Sequence, residues 1–296
     1  MTAMQPWNGV AGKRVLLTGA TSGIGLAGAV ELARRGAQLV MVARSETKAN
    51  EAVRRVRAAA GQAAVVDTLL ADLASQSSIR QVASKALAQY PTIQVLVNNA
   101  GAVYGTRRLS PDGIELTWAV NHLAPFLLTV LLLERLKASA PARVVTTSSA
   151  AHQGARIPFD DMSAERSWGG SGFRRYGETK LANVLFTVEL ARRLEGTGVT
   201  ANCVHPGVIA TKLLLDYMNL PVVGGALART FGASPEKAAT AIVHLAASAE
   251  VERITGTYFD GRRVTRSSPA SYDETLARRL WEASERLTGL AGVATP

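Results

Sequence analysis

The sequence predicts an α/β fold in which one doubly wound parallel sheet of about seven strands carries helices on both faces. Three observations carry that expectation. Short apolar runs alternate with helix-patterned stretches across short links. Such alternation yields parallel strands joined by right-handed crossovers, which place helices on either face. The first apolar run ends in a glycine-rich turn, Thr18-Gly19-Ala20-Thr21-Ser22-Gly23-Ile24-Gly25, and a helical pattern follows it. No internal repeat, linker or low-complexity segment divides the 296 residues. Residues 1–296 are therefore expected to form one domain of a size ordinary for this class.

Each element has its own local signal. Residues 13–18 read as the first strand. In the turn, Gly19 allows a sharp reversal, Gly23 lets backbone come close to a pyrophosphate, and Gly25 lets the new helix lie against the strand. The spacing G-x-x-x-G-x-G differs from the G-x-G-x-x-G of most dinucleotide folds. The helix N-terminus that follows offers free N–H groups and partial positive charge to phosphates. Residues 26–35 form the first helix, closed by Gly36. Residues 37–43 read as the second strand and 46–60 as a charged, alanine-rich surface helix ended by Gly61. The third strand, 64–70, leads to a helix over 75–89 with Ser75 as cap, and the fourth, 93–97, runs into Asn98-Asn99-Ala100-Gly101. A long helix is expected over 111–138, a fifth strand over 142–147, an irregular polar insertion over 151–172 and a helix over 173–195. The sixth strand spans 198–205. The stretch 208–232 is apolar and glycine-dotted. Ser234 caps a helix over 235–249 that has Pro235 at its first position. A late strand over 255–260 and an amphipathic helix over about 272–289 complete the chain.

Composition narrows the function classes. Hydrophobic residues make up 47% of the chain, enough for a large core. No apolar run reaches the roughly 20 residues of a membrane span, and Pro125 interrupts the run 124–133. Residues 1–12 lack the basic and apolar regions of a signal peptide. The one cysteine, Cys203, excludes an internal disulfide, fits a reducing cytosol and reads as a small core residue. The formal charge of +10 is dispersed in arginine pairs such as Arg34-Arg35, Arg174-Arg175 and Arg192-Arg193. Without a dense basic block interleaved with aromatics, solvated helix faces explain the pairs better than nucleic-acid binding does. No metal site is expected.

At the tip of the second strand stands Arg44, with no acidic residue at the tip itself; Glu46, two residues on, reads as a helix-start residue. An acidic side chain there bonds the free ribose hydroxyls of NAD, and an arginine accommodates the extra phosphate of NADP. Asp72, followed by Leu73, lies after the third strand, where it could serve the adenine or simply a turn. Tyr176 and Lys180 lie four apart and project from one helical face. A free phenol has a pKa of about 10, and a nearby ammonium favours its ionised form. Ser148-Ser149 follows the fifth strand at a carboxyl end, where open α/β sheets bind ligands. Asn121 lies inside a helical stretch, where asparagine is a poor helix former, and suggests a local break able to hold a water.

These motifs, taken in order, resemble the short-chain dehydrogenase/reductases over nearly the whole chain. They are residues 18–25, Asp72-Leu73, Asn98-Asn99-Ala100-Gly101, Asn121-His122, Ser148-Ser149, Tyr176-Gly177-Glu178-Thr179-Lys180 and His205-Pro206-Gly207. The retinol dehydrogenase branch is the nearest in pattern, through Leu181-Ala182-Asn183-Val184-Leu185-Phe186-Thr187, Val204-His205-Pro206-Gly207, Ala277-Arg278-Arg279-Leu280-Trp281-Glu282 and the long gap from Ser149 to Tyr176. The resemblance implies a Rossmann-type fold and a catalytic set of Asn121, Ser149, Tyr176 and Lys180. Tyr176 would exchange the proton at the substrate oxygen. Lys180 would lower its pKa and bond the nicotinamide ribose, Ser149 would orient the carbonyl, and Asn121 would hold a relay water. The implied cofactor residues begin with Gly19, Thr21, Ser22, Gly23, Ile24 and Gly25 at the turn. Arg44, Asp72, Leu73, Asn99, Ala100 and Gly101 continue the set. Tyr176, Lys180, Pro206, Gly207, Val208 and Thr211 complete it at the nicotinamide end. Thr179 stands where serine is usual in the family and keeps the hydroxyl. Membrane-bound relatives carry an N-terminal apolar anchor that this sequence lacks, so a cytoplasmic protein without stable membrane insertion is expected.

The expected activity is hydride transfer between NADP(H), rather than NAD(H), and a lipophilic aldehyde, ketone or secondary alcohol, an EC 1.1.1.- reaction. The segment 208–232, with Leu213-Leu214-Leu215, Tyr217, Met218, Leu220, Val222 and Val223, could be a substrate lid or a contact surface in a homo-oligomer. Two rival readings stand beside this one. The chain could reduce an activated carbon–carbon double bond, as chlorophyll-precursor reductases with similar motifs do. It could also bind NADP as a regulator without turnover, although the intact Asn121, Ser149, Tyr176 and Lys180 set speaks against that.

Overall fold

The computed structural model describes residues 6–168, 172–207 and 234–291. Eight strands form one sheet in the order β3-β2-β1-β4-β5-β6-β7-β8. They are β1 (Arg14–Thr18), β2 (Gln38–Ala43), β3 (Val66–Leu70), β4 (Val95–Asn98), β5 (Ala142–Thr147), β6 (Val199–His205), β7 (Thr257–Asp260) and β8 (Arg263–Val264). The first seven run parallel, and β8 pairs antiparallel with β7. The count exceeds the expected seven because β8 has two residues, too few for a periodicity signal. It forms when the chain doubles back at Gly261, whose φ of +59° suits the tight turn.

The helices are α1 (Gly23–Arg34), α2 (Glu46–Ala60), α3 (Gln76–Gln89), α4 (Leu116–Trp118), α5 (Ala124–Ala138), α6 (Gly172–Arg193), α7 (Pro235–Ala247) and α8 (Glu274–Leu287). The two expected caps form, the side chains of Ser75 and Ser234 accepting from Ser78 N and Lys237 N; Asp273, which was not anticipated, caps α8 by accepting from Leu276 N. The long helix expected from residue 111 starts at Leu116. Pro111-Asp112-Gly113 turns instead, Gly113 has φ +75°, and Glu115 accepts from the amides of Thr117 and Trp118 to start the helix. Between α4 and α5 the chain makes a π-turn over Ala119–Leu123.

Alternation along the strands builds the two halves of the core. Leu16, Val40, Leu96 and Val144 face α3, α5 and α6, where Ile79, Phe126 and Leu190 pack. Val15, Leu17, Leu39 and Met41 face α1, α2 and α7, where Leu32, Val56 and Ile242 pack. Both faces are covered, as a parallel sheet requires. Trp281 of α8 seals the first half, stacking at 5.9 Å on Phe186 and meeting Phe126 edge-on at 5.0 Å.

Cys203 is a buried core residue between Val184 and Tyr258, and burial pushes its thiol up to about 12. The 23-residue stretch Leu116–Ala138, whose most apolar 18-residue window has a mean hydropathy of 1.7, is long and apolar enough for a membrane span, contrary to the sequence reading. Pro125 does not break it: the π-turn over Ala119–Leu123 directly precedes the proline, and the chain passes into α5 with Leu123 and Ala124 both helical. In the protein, 83% of its most apolar window is buried within the core. Three arginine pairs fork onto one glutamate one helical turn away: Arg34 and Arg35 on Glu31, Arg174 and Arg175 on Glu178, and Arg192 and Arg193 on Glu189, the last two each at 2.7 Å. Arg175 departs from the solvated-face expectation: it is buried and holds buried Glu178 at 2.8 Å.

Candidate active site

Strand order reverses between β2-β1 and β4-β5, so a crevice opens beyond the carboxyl ends of β1 and β4. The glycine turn occupies one side of it. At Gly19, with φ +68°, a Cβ would lie 2.8 Å from Ala100 Cα, and at Gly25 one would lie 2.1 Å from Gly19 O. Neither position admits a side chain. Gly23 has φ +53° and open space above it. Ser22 precedes α1 without capping it by its side chain, leaving the first-turn amides of α1 free of that oxygen. Thr18 ties the turn to the end of β4, its hydroxyl accepting from Asn99 N at 3.0 Å and Ala100 N at 3.1 Å. The Asn99 amide donates back to Thr18 O and Gly19 O at 3.2 and 3.3 Å. Asn99 therefore holds the turn in shape, a role its motif did not reveal.

At the tip of β2, Arg44 is exposed and makes no ion pair among the described residues. Ser45 beside it starts α2 without a side-chain cap. On the same side, after β3, Asp72 Oδ1 accepts from Ala74 N at 3.0 Å, so one oxygen forms a turn while the residue remains exposed. Leu73 packs partly against the core.

The catalytic candidates converge from three elements. Tyr176 and Lys180 lie on α6, with the ammonium 5.3 Å from the Tyr176 ring centroid. Lys180 Nζ donates to Thr147 O at 3.0 Å, and burial lowers its pKa from 10.5 to about 8. Burial raises the Tyr176 phenol above its usual 10, while a hydrogen bond with the Ser149 hydroxyl draws it back. The sequence reading gave Lys180 that lowering role. Here the ammonium stands against the ring and bonds a carbonyl, and the serine is the group that favours the phenolate. Of the serine pair, Ser148 donates to Lys180 O at 2.9 Å and is structural. Ser149 accepts from Ala151 N at 3.2 Å and keeps its own proton to direct.

Asn121 sits in the π-turn, the local break its residue type suggested. Its Oδ1 accepts from Ala102 N at 2.7 Å, and its Nδ2 donates to Ala102 O at 2.8 Å and Thr179 Oγ1 at 3.2 Å. With its amide engaged by the protein, the side chain fixes the loop after β4. A Cβ on Gly101 would meet Asn121 Oδ1 at 3.5 Å and Lys180 Nζ at 3.6 Å, so both groups face the same small space. Thr179 Oγ1 donates to the Tyr176 backbone carbonyl at 2.8 Å. Gly177 was overlooked from sequence: a Cβ there would lie 2.6 Å from Ala151 O, so only glycine lets α6 lie against the turn carrying Ser149. Pro206 and Gly207 follow β6, with Gly207 at φ +98°. Val208, Thr211 and the segment 208–232 lie outside the described residues.

A short chain dehydrogenase family model matches residues 13–218. The chain is a short-chain dehydrogenase. This oxidoreductase is 41% identical to human retinol dehydrogenase 14, covering 94% of this chain and 87% of that one. It is also 41% identical to human retinol dehydrogenase 13, covering 95% and 85%. A solved structure of an uncharacterized protein from Mycobacterium Paratuberculosis matches with a TM-score of 0.78 and 32% identity over 96% of both chains. Pseudomonas aeruginosa RhlG, solved as an NADP active-site complex, matches with a TM-score of 0.69 and 26% identity over 87% of this chain and 97% of that one. The short-chain dehydrogenase is retinol dehydrogenase-like in sequence and has the family's Rossmann-type fold.

Proposed function

We propose that this short-chain dehydrogenase uses NADP(H) to interconvert a lipophilic aldehyde or ketone with its alcohol. The observation that carries the reading is the group at the carboxyl edge of the sheet: a half-buried tyrosine whose phenol is hydrogen-bonded to Ser149, beside the buried Lys180 ammonium. The residues present fit a dinucleotide. Gly19 and Gly25 allow a turn that a Cβ would block, Gly23 leaves open space, and the first amides of α1 are uncapped by Ser22. Thr21, Ser22, Gly23 and Ile24 would hold the pyrophosphate, Asp72 and Leu73 the adenine, and Lys180, Pro206 and Gly207 the nicotinamide end. Arg44, exposed and without an ion pair among the described residues, and the neighbouring uncapped Ser45 suit a phosphate on the ribose; Glu46, which follows, opens α2. Similar structures solved with NADP, including RhlG and a Burkholderia cenocepacia short chain dehydrogenase, support that choice. The retinol dehydrogenase relatives support a lipophilic substrate.

Bound nicotinamide supplies or accepts the hydride. The chain supplies position and protons. A phenol raised by burial keeps its proton at neutral pH, so Tyr176 can donate it to a carbonyl oxygen as the alcohol forms. The Ser149 hydroxyl holds that oxygen and stabilises the charge developing on it. Lys180, with its pKa at about 8, releases and regains a proton near working pH and can restore the phenol. In oxidation the same groups move the proton the other way.

The test is NADPH and NADH consumption over aldehydes, ketones and enones of graded chain length, with products identified. Alcohols formed preferentially from NADPH, with rates rising with chain length, support the reading. Saturated ketones formed from enones would replace it with double-bond reduction. Tight NADPH binding without turnover would replace it with a regulatory role.

A further inference from the structure

The turn that carries Ser149 is held from the far end of the chain. Ser149 starts a 3-10 turn, Ala150–His152, and the His152 ring is completely buried. One ring nitrogen, Nδ1, lies 2.7 Å from Ser149 O. The other, Nε2, lies 3.1 Å from Ser268 N. A backbone N–H can only donate, so Nε2 accepts and the ring proton sits on Nδ1, directed at Ser149 O. The ring face packs on Tyr258, with centroids 4.7 Å apart. Ser268 is fixed in turn, its hydroxyl 2.9 Å from that of Ser271, while Ser267 N donates to the Tyr272 hydroxyl at 3.1 Å. Those residues lead directly into α8.

We infer that His152 is a positioning residue for Ser149: its neutral imidazole anchors the serine's carbonyl to the segment before α8 and so sets the direction of the serine hydroxyl. This rests on the reading of Ser149 as the group that orients the substrate oxygen. The imidazole acts through that serine, because both of its nitrogens are engaged by backbone. The peptide plane at Ser149 O is fixed by Nδ1–H, and the hydroxyl one bond series away inherits that orientation.

A double-mutant cycle tests this in the full-length enzyme, with kcat and the KM for NADPH read for each variant. His152→Gln keeps an acceptor for Ser268 N and loses the donor to Ser149 O. It is expected to lower kcat about tenfold, the effect of one aligning hydrogen bond, with the KM for NADPH unchanged. His152→Asn keeps the donor to Ser149 O and gives up Ser268, and is expected to hold kcat close to wild type while melting at a lower temperature. In a Ser149→Ala background, His152→Gln is expected to cause no further loss. A second full tenfold loss there, or a loss in His152→Asn as large as that of Ser149→Ala, would overturn the inference. If the Gln variant does not fold, the Asn variant alone decides by the same criterion. An undiminished kcat in Ser149→Ala would overturn the underlying reading of the serine instead, and is distinguishable because it appears in that single variant.

Discussion

Replacing Lys180 with methionine separates what this side chain costs the fold from what it does in the reaction. The lysine is 2% exposed, and burial lowers its pKa from 10.5 to about 8. Below the folded value both states carry the proton, and the folded state bears the burial penalty in full. Between about 8 and 10.5 the unfolded lysine holds a proton that the folded one has lost, so unfolding free energy rises with pH. At about 1.4 kcal/mol per pH unit, the depression corresponds to about 3 kcal/mol. Methionine removes the charge and fills similar volume. Against that gain stands the lost bond to Thr147 O, worth about 1 kcal/mol, although Asn183 Nδ2 still donates to that carbonyl at 3.3 Å. Lys180→Met is therefore expected to be inactive yet about 2 kcal/mol more stable near pH 7, with most of that gap closed by about pH 9.5. Urea unfolding of both proteins at the two pH values measures it. Cys203, pushed up to about 12, lowers stability at alkaline pH in both proteins and cancels in the difference. A variant less stable than wild type near pH 7, or a gap that does not shrink, would refute the reasoning.

Tyr176→Phe removes the proton donor and is expected to lower kcat about 100-fold or more, while NADPH binding by fluorescence titration stays intact. Equal loss of both would make the tyrosine structural. Arg44→Asp is expected to move the ratio of kcat/KM for NADPH over NADH toward NADH by about tenfold or more, and an unchanged ratio would remove Arg44 from phosphate recognition. Gly177→Ala would place a Cβ 2.6 Å from Ala151 O, and the forced shift of α6 is expected to cost about 1–3 kcal/mol in urea unfolding and to lower kcat. Wild-type kcat in that variant would show that the turn bearing Ser149 tolerates displacement.

Much of this molecule was legible because its signals are local. Strand alternation, the glycine turn, Ser75 and Ser234 as caps, and Tyr176 with Lys180 on one helical face all follow from short-range spacing. The rest depends on contacts between distant residues. Nothing near Asn121 announces that its amide meets Ala102, nor anything near Asn99 that its own grips the glycine turn. Ser148 and Ser149 are indistinguishable in sequence until Lys180 O claims the first. The pKa of Tyr176 was misassigned for the same reason. A four-residue spacing brings two side chains to one face, but it does not say whether the ammonium meets the hydroxyl or the ring. The start of α4 was misplaced because the helix was run through Pro111-Asp112-Gly113, whose residue types are those of a turn.

The stretch Leu116–Ala138 has a consequence for how the enzyme must be made and kept. It is greasy enough for lipid, yet its partners in the interior come from both earlier and later parts of the chain. While the ribosome is still extending the polypeptide, the residues of α6 and α8 that will cover it, Phe186 and Trp281 among them, are not yet in place. For that interval a sticky rod faces water, chaperones and any nearby bilayer. The hazard to this catalyst therefore lies less in its chemistry than in the moments before, or after, its sheet is closed.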